Sequence, residues 1–71
     1  MNNIGEIFRQ MRKSAGYTQK ELGEKLGYSQ AKISDYEANK VSPVFSTIQR
    51  WAETCGCEVV LEWKEKHKTP K

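Results

Sequence analysis

Between Thr18 and Glu37 the chain sets two helix starts with a single glycine stop between them, and this leaves little freedom to the rest of a 71-residue sequence. Thr18, with Glu21 three residues later, has the spacing of a capping box ahead of Leu22 and Leu26, and Gly27 supplies the stop. After Tyr28, Ser29 is a good N-cap for a segment in which Ile33, Tyr36 and Glu37 share one side. Gln30 with Ser34, and Ala31 with Asp35, pair on the other side. The spacing predicts two short helices about a tight turn.

The flanks predict two further helices. Asn3 and Glu6 repeat the capping-box pattern, and Ile4, Ile7, Phe8 and Met11 recur at helical spacing, which predicts a first helix from Ile4 to Ala15 stopped by Gly16. Asn39 can close the third helix in the left-handed region. Ser42 then offers a capping hydroxyl ahead of Pro43 at a first helical position, and Val44, Ile48, Trp51, Ala52 and Cys55 form the apolar stripe of a fourth helix ending at Gly56.

Beyond Gly56 the period changes from 3.6 to 2. Cys57, Val59, Leu61 and Trp63 alternate with Glu58, Val60, Glu62 and Lys64, the pattern of one half-buried strand. A lone strand leaves its backbone groups without partners, and everything before it reads as helix. The simplest partner is the same strand of a second copy, paired antiparallel about a two-fold axis, so a homodimer is expected. Packing as a lone segment on its own helices, or addition to another protein's sheet, are the alternatives. The expected fold is all-α, four short helices with one C-terminal β-strand pairing across a dimer. Residues 1–56 form the helical domain, 57–64 the dimerisation strand and 65–71 a polar tail.

Length and composition narrow the function classes. The chain fits one small domain, with 37% hydrophobic and 30% charged residues, enough for a core. No apolar run approaches the roughly 20 residues that cross a bilayer, and the N-terminus has no basic start followed by an apolar stretch, so no membrane contact and a cytoplasmic location are expected. Cys55 and Cys57 are too few for a structural zinc site and read as reduced thiols serving as small apolar side chains. His67 falls in the polar tail and reads as solvated. Without a Gly-rich phosphate loop, a paired carboxylate motif or a nucleophile elbow, no enzyme, cofactor or metal is expected. Phe8, Met11, Leu22, Leu26, Ile33, Tyr36, Ile48 and Trp51 read as core. Twelve Lys and Arg against nine Asp and Glu give a net charge of +3, a mild bias toward polyanions.

Two short helices about a glycine-containing turn are a form used to present one helix to a DNA groove. The chain resembles the Cro/CI-type helix-turn-helix repressors, the XRE family, over roughly Ile4 to Cys55. Carrying the resemblance are Thr18-Gln19-Lys20-Glu21-Leu22, Gly27, Ser29-Gln30 followed by Ile33, and Tyr36-Glu37 leading through Asn39-Lys40 to Pro43. Gly23 stands where the family usually has alanine, and Asn39 where it often has glycine; both residues suit their places, a close helix approach and a left-handed turn.

The resemblance implies a lambda-repressor-like fold whose third helix reads bases through Gln30, Ala31, Ser34 and Asp35. Their chemistry agrees: Gln can bond adenine N6 and N7, Ala can meet a thymine methyl, Ser suits several edges, and Asp can accept from cytosine N4. By the same resemblance Gln19 and Gln30 together clamp a phosphate and orient the reading side chain. Further backbone contacts are expected from Lys20, Lys32, Asn39, Lys40, Ser42 and Ser46, with help from Arg9 and Lys13. Asp35 would be repelled by phosphates unless it met a donor base or a neighbour such as Lys32. Arg12 and Glu37 are implied as a partly buried brace. The function implied is a dimeric repressor that binds double-stranded DNA at a palindromic operator. The alternative is an antitoxin that also binds a toxin protein and regulates its own operon, a reading that the C-terminal strand motivates.

Overall fold

A computed structural model describes residues 3–60. Four helices follow one another: α1 (Ile4–Ala15), α2 (Gln19–Leu26), α3 (Gln30–Glu37) and α4 (Phe45–Thr54). The bounds of the first three match the sequence expectation, because each start is written in a local hydrogen bond. The Asn3 side chain accepts from the Glu6 amide, Thr18 from Glu21 and Ser29 from Lys32. At α2 the box is reciprocal, since the Glu21 carboxylate accepts from the Thr18 amide at 2.9 Å. At α1 it is half made: the Glu6 carboxylate accepts from Gln10, while the Asn3 side chain also accepts from Asn39. Gly16 and Gly27 close α1 and α2 at φ 82° and 80°, and Asn39 turns the chain after α3 at φ 62°.

The start of α4 corrects the expectation. Its N-cap is Val44 with no side-chain cap, and Pro43 lies ahead of the helix. The amides of Thr47 and Ile48 both donate to the Val44 carbonyl, so the helix begins where Thr47, Trp51 and Ala52 can turn inward. Val44, expected in the apolar stripe, is exposed instead.

The core lies where all four helices meet. Phe8, Leu22, Leu26, Ile33, Tyr36, Trp51 and Cys55 are buried, with Met11 and Ile48 partly buried against them. Trp51 stacks on Phe8 with ring centroids 4.1 Å apart, and Tyr36 meets both rings edge-on. The buried indole N–H donates to the Phe8 carbonyl.

Two close approaches set the helix positions. A side chain at Gly23 would place its first carbon 2.5 Å from the Tyr28 carbonyl oxygen, so glycine is needed where α2 meets the turn into α3. At Gly5 that carbon would overlap the Glu37 carbonyl, and the Gly5 amide donates to the Asn39 side chain at 2.9 Å. The beginning of α1 is thereby pinned to the end of α3.

Both cysteines are free thiols. Burial, with Cys57 nearby, pushes Cys55 up to about 11 from an ordinary 9.0. Between these values the unfolded chain has lost a proton that the folded chain keeps, so stability present below pH 9.0 declines as pH rises toward 11. Cys55 should resist alkylation in the folded protein and react once urea unfolds it, a contrast that mass spectrometry of labelled peptides reads directly.

Cys57 to Val60 leave α4 without entering another helix, and no strand ladder forms among the described residues. Cys57 and Val59 are half-buried while Glu58 and Val60 are exposed, so side chains alternate over this stretch. Leu61, Trp63, His67 and the polar tail lie outside the described residues.

Candidate nucleic-acid interface

The third helix is held from three directions. Its N-cap Ser29 follows the Gly27 turn, Ile33 and Tyr36 anchor its inner side in the core, and Glu37 ties its last turn to α1 and α2. What remains outward is Gln30, Ala31, Lys32 and Ser34, all exposed, with Asp35 half-buried beside them. The base-reading set expected from sequence therefore lies together on the side of α3 opposite its core contacts.

The tie at Glu37 is denser than a single ion pair. Arg12 donates from Nε to one carboxylate oxygen at 2.6 Å and from a terminal nitrogen to the other at 3.1 Å. The remaining terminal nitrogen of Arg12 donates to the Tyr17 carbonyl at 2.9 Å. Gln19 donates its amide N–H to the same carboxylate at 3.1 Å. The two charged side chains are 11% and 5% exposed, so the pair is largely withdrawn from water.

Gln19 is thus bound within the protein through one amide proton, and no hydrogen bond joins it to Gln30 among the described residues. It opens onto a shallow hollow of about 330 Å³ shared with Arg9, Ser34 and Ala38, above Arg12 and Glu37. Residues of α1, α2 and α3 meet there, and a cation, an amide and a hydroxyl face one space.

The other expected backbone contacts divide. Lys20, Lys40, Ser42 and Ser46 are exposed. Lys32 is exposed too, and its ammonium rests 4.6 Å from the centre of the Tyr28 ring. No ion pair joins it to Asp35 among the described residues. Asn39 is committed inside the protein at both ends of its amide, accepting from the Gly5 amide and donating to the Asn3 side chain. It is a joint between α1 and the end of α3, its backbone amide donates to the Tyr36 carbonyl at 3.2 Å, and the residue is exposed.

Sequence reasoning missed two positioning residues. Arg50 of α4 donates to the Leu26 carbonyl at 2.8 Å, filling an open acceptor at the end of α2, and lies near the Tyr28 ring. Gly5 carried no signal beyond its place in an apolar helix, where glycine is costly unless something passes close.

A protein-family model described as helix-turn-helix matches residues 8–61, which takes in α1 from Phe8 onward and the whole of α2, α3 and α4. No curated protein and no solved structure matches the chain.

Proposed function

Because the chain belongs to the XRE-type helix-turn-helix family, whose members are DNA-binding transcriptional regulators, we propose that it acts as a homodimeric repressor of a palindromic operator. One observation carries the reading: the outer side of α3 presents Gln30, Ala31 and Ser34 to solvent while its inner side is locked in the core. A polar helix face held this rigidly loses little freedom when it enters a major groove. Gln30, Ala31, Ser34 and Asp35 read base edges. Gln19, Lys20, Lys32, Lys40, Ser42 and Ser46 contact the backbone, joined by Arg9 across the hollow. Gln19 has a second amide proton to offer a phosphate while the first stays on Glu37. Asn39 likewise has a second side-chain amide proton to offer a phosphate while the first stays on Asn3.

Two copies paired through Cys57, Val59, Leu61 and Trp63 would set two recognition helices in successive major grooves about 34 Å apart. Repression then needs no chemistry, only occupancy of DNA that polymerase must use. The antitoxin reading draws on the same C-terminal stretch, and co-purification with a toxin encoded beside it would favour it.

Selection of bound sequences from a random duplex library tests the proposal, with a two-fold symmetric consensus expected. Against that consensus, Gln30→Ala should lose about 1 to 3 kcal/mol at particular base pairs. Lys40→Ala should weaken all sequences about equally and flatten the salt dependence. Unselected binding, or a consensus that Gln30→Ala leaves intact, would remove the base-reading role.

A further inference from the structure

The turn between α2 and α3 gathers positive charge around one aromatic ring. Tyr28, half-buried, stands directly before Ser29, the N-cap of α3. The Lys32 ammonium lies 4.6 Å from the centre of its ring, and the Arg50 guanidinium 5.8 Å. Both cations are exposed, and neither pairs with a carboxylate among the described residues. Arg50 is also fixed from behind, since one terminal nitrogen donates to the Leu26 carbonyl at 2.8 Å. That bond leaves other N–H donors of the guanidinium for a further acceptor.

The ring attracts each cation, but two like charges held about it repel one another, and an anion bound between them removes that repulsion. The Leu26 bond accounts for Arg50 at the end of α2. It gives no reason for Lys32, from a different helix, to share the ring.

Position selects the anion. Lys32 belongs to the first turn of α3, the turn that carries Gln30 and Ala31. When the leading turn of a recognition helix enters a major groove, side chains flanking that turn lie along the phosphates that edge the groove. We infer that Tyr28, Lys32 and Arg50 form a clamp for one backbone phosphate of DNA at the leading end of α3. Lys32 and Arg50 donate to its oxygens, and Tyr28 is the positioning residue that keeps both cations on it. The inference rests on the DNA-binding reading above and adds to it a contact from α4 and an aromatic residue of the turn. A phosphate is the same beneath every base pair, so the clamp strengthens binding to all duplexes alike.

The test is binding of the full chain to its selected consensus and to a scrambled duplex across a range of salt concentrations, with circular dichroism following the fold. Arg50→Gln should weaken binding to both duplexes by about tenfold, the loss of one charge-assisted bond. It should also lower the slope of log affinity against log salt by about 0.9, one phosphate contact fewer. Arg50→Lys keeps the charge and should keep the slope. Lys32→Gln, at an exposed position, should lower the slope by the same amount, and it decides the matter should Arg50→Gln fail to fold. Tyr28→Leu should weaken binding with both charges in place, and in that background Arg50→Gln should cost less than in the native chain.

A folded Arg50→Gln with its salt slope unchanged would overturn the clamp, leave Arg50 as a tie to the end of α2 and let the DNA-binding reading stand. Strictly additive losses for Tyr28→Leu and Arg50→Gln would overturn the role of the ring, and a loss confined to one base pair would overturn phosphate as the ligand. A native chain that binds neither duplex would overturn the DNA-binding reading itself, and the clamp with it, before any variant is compared.

Discussion

Replacing Glu37 with alanine should destabilise the protein by about 3 to 5 kcal/mol while leaving the sequence preference of whatever still folds unchanged. The magnitude follows from what is left behind. Three donor contacts lose their acceptor at once, two from Arg12 and one from Gln19. The Arg12 guanidinium would keep only the Tyr17 carbonyl, inside a site where it is 11% exposed. A chain of this length holds about 4 to 10 kcal/mol in total, so the loss would consume much of it.

The comparison variants separate charge from shape. Glu37→Gln keeps the volume and one acceptor oxygen, and should fall between the native protein and Glu37→Ala in urea unfolding. Replacing Arg12 and Glu37 together with Met and Leu removes the stranded charge along with its partner, and should cost less than the two single losses added. For DNA, Glu37→Ala should weaken apparent affinity by the fraction of molecules that remain folded, with the salt slope unaltered. An unchanged unfolding midpoint would remove Glu37 from its bracing role. A changed base preference would make it part of the reading surface.

That brace also shows which parts of this molecule a sequence discloses. Helix starts are legible because the informative atoms lie within three residues: Thr18 to Glu21 and Ser29 to Lys32 are encounters the chain can hardly avoid. The outward set on α3 follows from the burial of Ile33 and Tyr36, since fixing one side of so short a helix fixes the other. Arg12 and Glu37 are far apart in sequence, and it was the family resemblance rather than spacing that joined them. The added bond from Gln19 had no local signal, and neither did the pressing of Gly5 against the last turn of α3.

Where a local rule and packing compete, packing decides. Ser42 before Pro43 is a good start for a helix, yet α4 begins at Phe45 without a side-chain cap, in register with the inward turn of Thr47, Trp51 and Ala52. Asn39 is suited to a left-handed turn, as expected, and its side-chain amide also ties the start of α1 to the end of α3, a contact with no local signal. Val44 continues an apolar stripe by spacing and ends in solvent, because the helix starts one residue later.

The second large loss is expected within the core, from Trp51→Ala. Trp51 is wholly buried, stacked on Phe8 of α1 and edge-on to Tyr36 of α3, so one side chain of α4 holds the helix that braces the reading face and the helix that carries it. Removing so large a ring from a closed interior should cost about 3 to 5 kcal/mol, the transfer term and the cavity acting together. Trp51→Phe should cost less. The Phe8 carbonyl that loses the indole N–H lies within α1, where the helical amide one turn later can still serve it, so the penalty is mainly the missing part of the ring. In urea unfolding followed by circular dichroism, Trp51→Ala should show a much lower midpoint or no folded baseline, and Trp51→Phe a folded baseline with a modest shift. A loss below about 1 kcal/mol for Trp51→Ala would mean that α3 is positioned without the aromatic stack. In that case the Glu37 brace and the Gly23 approach would have to hold the recognition helix, and combining Trp51→Ala with Glu37→Ala would then expose that dependence as a strongly non-additive loss.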